Sequence, residues 1–257
     1  MALLKVWRTM RQYGTRTAYK KIKQVAPTYL GGIKNWELRR CRCCERATIF
    51  IAQQSGSGES SSCFFCSAND RYELLAEEIR NRYGSKLSQM SVLELDPCSP
   101  LRPLLGRART YIRSFYEEDR KLKEKNGAVW EDIAELSFQD NFFDLIVSSE
   151  VLEHVPRLDC ALQESARVLK VGGAHLFTVP PRSRTRKRAE LSNGKITHLE
   201  TPDYHMDPLC KEGILAFWDV GPDLADVVTC PGLNVRVVRG PEGSAGRVVW
   251  MAEKVAL

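Results

Sequence analysis

The chain has 257 residues, of which 43% are hydrophobic and 27% charged. That suffices for one large domain, or one domain with a small satellite, and excludes collagen, a coiled coil and wholesale disorder. The net charge of +6 is uneven, because ten of the 38 Lys/Arg and one of the 32 Asp/Glu fall in residues 1–40, a local +9. The 28 bases and 31 acids that remain give the other 217 residues −3.

The chain therefore begins with a basic arm, residues 1–40, ahead of a slightly acidic body. Leu3, Trp7 and Met10 share one helical face of the arm, with Lys5, Arg8 and Arg11 largely elsewhere. Three readings stay open: a helix packing Trp7 and Leu3 onto the body, a contact with an anionic surface or acidic partner protein, or an organelle-targeting segment. No run approaches 18 apolar residues, so no transmembrane segment is expected. Lys5, Arg8 and Arg11 interrupt the apolar stretch a secretory signal needs, and the expected location is cytoplasmic, with organelle targeting by the arm as the alternative.

Five of the nine cysteines fall between positions 41 and 66. Cys41-x2-Cys44 and Cys63-x2-Cys66 have the spacing of a four-thiolate zinc site, residues 41–70 forming a knuckle segment. Each Cys-x2-Cys turn points two thiolates at one ion, and the polar loop Gln53 to Ser62 lets the chain fold back. Four protein ligands leave no open position, so the zinc would be structural. Cys43 is an ambiguous fifth thiol. Cys98, Cys160, Cys210 and Cys230 are isolated and read as ordinary buried thiols.

In the body, residues 71–257, Tyr72 to Ile79 predicts an amphipathic helix. Ser91–Leu95, Thr110–Ser114, Ala128–Trp130 and Phe143–Ser149 predict strands. A helix is expected from about Asp159 to Lys170, stopped by Gly172-Gly173, then a strand over 174–179. Strands alternating with helices predict an α/β fold with a doubly wound, mostly parallel sheet. Leu233–Val238 and Arg247–Ala252, around a glycine-rich turn, predict a closing antiparallel hairpin. Residues 182–221 show no clear period and form an insertion.

The segment from Ser137 to Pro156, with Phe143-Asp144-Leu145-Ile146-Val147-Ser148-Ser149-Glu150 at its centre, resembles the middle of a class I S-adenosylmethionine-dependent methyltransferase, type 11-like. So does Glu164 to Gly173, and the likeness extends more loosely over about 90–255. The paired-cysteine segment is similar to a zinc-binding appendage of some members. The resemblance implies a seven-stranded Rossmann-like sheet with an antiparallel C-terminal strand, and S-adenosylmethionine lying across the carboxyl ends of the first four strands. It implies cofactor contacts at Glu94 and Asp96 after strand one, Ser114 and Tyr116 after strand two, and Glu131, Asp132 and Ile133 after strand three. Asp132 would accept from the adenine amino group and Ile133 pack on the ring. Ser148, Ser149 and Glu150 would lie beside the methionine portion. The first loop, Glu94 to Pro100, departs from the family in lacking glycine.

Methyl transfer needs alignment and sometimes a base. His154, just past strand four, is a candidate base, with a capping role equally open. Tyr204, His205 and Asp207 are candidate acceptor contacts, His205 also a candidate catalytic group, with a surface loop as the alternative. Arg182 to Arg188 carries five positive charges, for an acidic acceptor or simply for solvent. The reading is a methyltransferase acting on a small-molecule, sugar or lipid-linked acceptor, nucleic acid being disfavoured by the acidic body. Its rival is an inactive methyltransferase-fold module that recruits a partner through knuckle and arm.

Overall fold

A computed structural model describes residues 36–52, 61–117, 123–207, 210–228, 230–239 and 247–256, excluding the side chains of 206, 207 and 210–212. Most of the basic arm, the polar loop 53–60 and the hairpin turn 240–246 lie outside the described residues.

The N-terminal unit is a three-stranded antiparallel sheet of β1 (Trp36–Arg40), β2 (Ala47–Ala52) and β3 (Ser61–Cys63), in that order. Helix α1 (Asp70–Tyr83) follows, with Asp70 and Glu73 in its first turn and Arg80 and Arg82 in its last, signs that suit the helix dipole. Beyond it come β4 (Ser91–Glu94), the short α2 (Arg102–Leu105), β5 (Thr110–Phe115), β6 (Glu124–Lys125), β7 (Ala128–Trp130) and β8 (Phe143–Ser149). Helix α3 (Leu158–Val168) leads into β9 (Leu169–Thr178).

These strands form one sheet with β16 (Leu233–Arg239) and β17 (Val249–Lys254), in the order β16-β17-β9-β8-β4-β5-β7-β6. Pairings from β9 across to β7 are parallel; β17 runs antiparallel to both its neighbours. The expected seven strands and antiparallel last strand are present, and the eighth is the two-residue β6, turned back by Asn126-Gly127 with φ of 54° and 72°.

Alternation along the strands builds two cores. Val92, Leu145, Val147 and Leu176 face Leu75 and Ile79 of α1, whereas Leu93, Ile146 and Phe177 face the opposite side, where Leu162 and Val168 of α3 pack. Burying each such side chain is worth roughly 1.5–3 kcal/mol. The first core also takes in Cys41, Phe50 and Cys63, so the cysteine unit and the sheet share apolar packing.

Three expectations are corrected. Gly172 and Gly173 do not stop a helix: α3 ends at Val168, and both glycines lie within β9, where the register with β8 shifts. Gly172 has φ of 79°, and a Cβ on Gly173 would sit 2.9–3.2 Å from three backbone oxygens, Lys170, Asp144 and Phe143. The pair is thus a bulge in a strand. The insertion is also ordered into hairpins: β10 (Arg186–Lys187) pairs with β15 (Trp218–Asp219), β11 (Ala189–Ser192) with β12 (Lys195–His198), and β13 (Tyr204–Asp207) with β14 (Cys210–Leu215). Its strands are short, and apart from Ala189 and Leu215, which pack with Phe217, few of their described side chains are buried, so no long buried face imposes a period of two. Asn193-Gly194, both at positive φ, was the legible turn signal. Finally, Cys98 is exposed, not buried.

Candidate functional site

Parallel pairing brings the carboxyl ends of β8, β4, β5 and β7 side by side, so the loops after Ser149, Glu94, Phe115 and Trp130 gather at one edge. There the predicted residues divide. Asp96, Asp132 and Glu150 are half-buried and Tyr116 is exposed, whereas Glu94, Ser114, Glu131, Ile133, Ser148 and Ser149 are buried.

The buried group is spent on the protein itself. Glu94 accepts from the Tyr111 hydroxyl, and burial pushes its carboxyl up to about 8. The Ser114 hydroxyl donates to the Glu94 carbonyl at 3.5 Å. Glu131 and Ser148 both have partners within the protein. Both Glu131 oxygens accept from Ser137, one from its N–H (2.9 Å) and one from its hydroxyl (2.5 Å). Ser148 Oγ lies 2.8 Å from Nε2 of fully buried His175, whose Nδ1 is 3.2 Å from Ser165 Oγ. Burial lowers that imidazole to about 3, so it is neutral. Ser149 pairs with Thr178 at 3.0 Å, and Ile133 packs with Leu152 and Val155.

The accessible group keeps acceptor capacity at the edge. One Asp132 oxygen accepts from the Ala134 N–H at 2.8 Å, a local turn that presents the carboxylate. Asp96 accepts from the Tyr72 hydroxyl (2.6 Å) and the Cys98 N–H (2.7 Å). The glycine-free first loop is thereby tied down, and Arg113 adds a bond to the Pro97 carbonyl at 2.6 Å. Glu150 sits at φ of 56°, its N–H on the Thr178 carbonyl, its carboxylate 3.2 Å from Arg247 and 3.8 Å from Arg71. Sequence reasoning missed both arginines: one lies before the sheet, the other near its end, and only folding brings them together.

Beside this edge, a 3-10 turn (Leu152–His154) meets the insertion. His154 Nδ1 is 2.9 Å from the Leu215 carbonyl, which can only accept, so Nδ1 carries the proton and Nε2 of the neutral ring is an acceptor. The His154 and His205 rings meet edge to face with centroids 4.9 Å apart. Glu153 Oε1 lies 3.7 Å from His154 Nε2 and from His205 Nδ1. That carboxylate holds the His205 imidazole above its usual value. The two predicted histidines are thus joined by Glu153, which the sequence hid as a mere neighbour of His154. Tyr204 is exposed, and the Asp207 side chain lies outside the described residues.

Residues 110–177, from β5 through most of β9, match the methyltransferase domain family. The chain is 37% identical over 90 residues to an uncharacterized protein of Methanocaldococcus jannaschii, 34% of this chain and 40% of that one. The matched region therefore spans less than half the length of this curated relative. Among solved structures it is similar to Streptomyces venezuelae DesVI, at 15% identity and a TM-score of 0.47, covering 72% of this chain and 91% of that one. An S-adenosylmethionine dependent methyltransferase from Mesorhizobium loti has 14% identity and a TM-score of 0.42, covering 66% and 93%. Among the described residues no helix is long and apolar enough to cross a membrane.

The sulfurs of Cys41, Cys44, Cys63 and Cys66 lie within 4.8 Å of one another. Their two loops are near copies. The Cys41 N–H bonds the Arg46 carbonyl (2.9 Å) as Cys63 N–H bonds Ala68 (2.8 Å), and Glu45 and Ser67, each just after the second cysteine, have φ of 58° and 61°. Backbone N–H groups point at the first sulfur of each pair, from Cys43 to Cys41 and from Phe65 and Cys66 to Cys63. Neighbouring thiols, Cys43 foremost, hold Cys41 well below the ordinary thiol value. Cys43 stands outside the group, its thiol donating to the Tyr72 carbonyl at 3.3 Å.

The basic run is not a free anion-binding loop. Arg182, Arg186 and Arg188 converge on buried Asp219 at 3.1, 2.7 and 2.9 Å, while Lys187 pairs with Glu190. Its charges fasten the insertion to itself.

Proposed function

We propose that the chain transfers the methyl group of S-adenosylmethionine to an acceptor bound between the carboxyl edge of the sheet and the insertion at 182–221. One observation carries this reading: of the candidate cofactor residues at the ends of β4, β5, β7 and β8, the side chains left accessible are Asp96, Tyr116, Asp132 and Glu150, while Glu94, Ser114, Glu131, Ile133, Ser148 and Ser149 are buried. This donor set fits the cofactor. Carboxylates accept from an adenine amino group, ribose hydroxyls and an ammonium, and the guanidiniums of Arg71 and Arg247 beside Glu150 suit an amino-acid carboxylate.

The cofactor supplies an electrophilic methyl on a sulfonium. The protein's task is alignment and handling of the acceptor proton. Asp132 holds the adenine end, Glu150 and the arginines hold the amino-acid end, and His154 and His205 face the acceptor from the insertion side. With a slightly acidic body, a small-molecule, sugar or lipid-linked acceptor is favoured over nucleic acid.

Cys41, Cys44, Cys63 and Cys66 would hold a structural zinc ion. The twin loops and the inward N–H groups suit four thiolates around one cation, with no position left for substrate. Metal analysis should find about one zinc per chain, and less than about half an equivalent in unstripped, folded protein refutes this.

Calorimetric titration with S-adenosylmethionine tests the main reading. Binding near micromolar, about −8 kcal/mol, is expected, weakened about tenfold or more in Asp132→Ala. No binding up to millimolar by folded protein overturns it in favour of a partner-recruiting module.

A further inference from the structure

We propose that Glu153, His154 and His205 form a second metal site, for a divalent first-row transition ion, beside the methyl-transfer cleft. The first observation is geometric: one ligand atom from each residue lies within 4.8 Å of the others. Glu153 Oε1 is equidistant, at 3.7 Å, from His154 Nε2 and His205 Nδ1. Metal–ligand bonds of about 2.1 Å set ligands roughly 3–3.5 Å apart, so the two Glu153 edges would close by a few tenths of an ångström and the histidine–histidine edge, within 4.8 Å, by about an ångström at most.

The second observation is independent. The Glu153 side chain is 2% exposed, and both of its carboxylate oxygens are buried without a hydrogen-bond partner. A buried ionised carboxylate is costly unless a cation or donors meet it. Glu94 shows the chain's other solution: it is equally buried but accepts a hydrogen bond from Tyr111 and holds its own proton near neutrality. Glu153 faces two imidazoles instead; as metal ligands, two imidazoles in their neutral form and one carboxylate carry a net −1 that a dication overcompensates, leaving the site attractive to an anionic oxygen.

The surroundings are those of ligating histidines. Metal-bound imidazoles almost always give the other ring N–H to a carbonyl or carboxylate. His154 has Nδ1 on the Leu215 carbonyl at 2.9 Å, aiming Nε2 at Glu153. His205 has Nε2 3.6 Å from Asp203 Oδ2, aiming Nδ1 at Glu153. Two imidazoles favour a first-row transition ion over magnesium or calcium, and three protein ligands leave positions open. That an acceptor oxygen fills one of those positions rests on the methyltransferase reading; binding of the ion does not.

The test is titration of the full chain, holding one equivalent of zinc at the cysteine cluster, with Co2+, followed by visible absorption. The expected result is one equivalent giving bands of nitrogen- and oxygen-ligated cobalt, without the strong thiolate charge transfer that entry into the cysteine cluster would produce. His205→Ala and isosteric Glu153→Gln should each weaken binding beyond the roughly 10–100-fold that loss of an outer-shell partner costs. His205 is a half-buried strand residue, so its truncation leaves the core intact. Absence of such bands, bands with thiolate character only, or binding unchanged in both variants overturns the site and leaves an ordinary carboxylate–histidine pair. S-adenosylmethionine calorimetry on the same samples reads separately: cofactor binding without cobalt binding sinks the metal site alone, and cobalt binding without cofactor binding sinks the methyltransferase reading alone.

Discussion

Glu94 makes the stability of the fold depend on pH in an unusual direction. It ends the central strand β4, is 1% exposed, and is pushed from an ordinary 4.5 up to about 8, chiefly by burial. Because its folded value is raised, the native state keeps a proton that the unfolded chain has already lost. Stability from this group is full below about pH 4.5, declines as pH rises, and is gone above about pH 8. A difference of about 3.5 pKa units at 1.36 kcal/mol each amounts to about 5 kcal/mol, a large share of the roughly 5–15 kcal/mol that holds a domain together. Glu94→Gln keeps the shape and the oxygen that accepts from Tyr111 but cannot ionise. Urea unfolding of both proteins from about pH 5 to about pH 9 should show the variant gaining steadily on the wild type, then running parallel to it above about pH 8. Curves parallel throughout would refute the assignment of a buried, protonated carboxyl at the end of β4.

Two further outcomes follow from the packing. Asp219→Ala removes the carboxylate shared by Arg182, Arg186 and Arg188, and should cost about 3 kcal/mol and open residues 182–221 to limited proteolysis; unaltered cleavage would mean the cluster does not hold the insertion. Gly173→Ala drives a Cβ to within 2.9–3.2 Å of three backbone oxygens and should destabilise by about 1–3 kcal/mol in thermal unfolding, whereas Gly172→Ala meets no atom within 4 Å and suffers only its positive φ. Equal effects at the two positions would deny the bulge its crowded side.

Local pattern made much of this chain readable. Ala128–Trp130 and Phe143–Ser149 were bounded correctly because apolar runs in a buried parallel sheet need no partner to declare themselves. The cysteine pairs were equally plain, since spacing alone sets which thiols a tight turn can aim together. What sequence misjudged was where two uses of one residue type compete. Gly172-Gly173 reads as a helix stop until β8 is seen to require a bulge there. Ser148 and Glu131 are polar groups at strand ends whose partners, His175 and Ser137, 27 and 6 residues away, only the fold supplies. The meeting of Glu153, His154 and His205 depends on β13 and β14 folding back over a 3-10 turn, so no local pattern encodes it. Sequence determines what each segment prefers by itself; only tertiary structure decides which polar groups are satisfied internally and which remain for a ligand, because burial and hydrogen bonding are settled by neighbours distant in the chain.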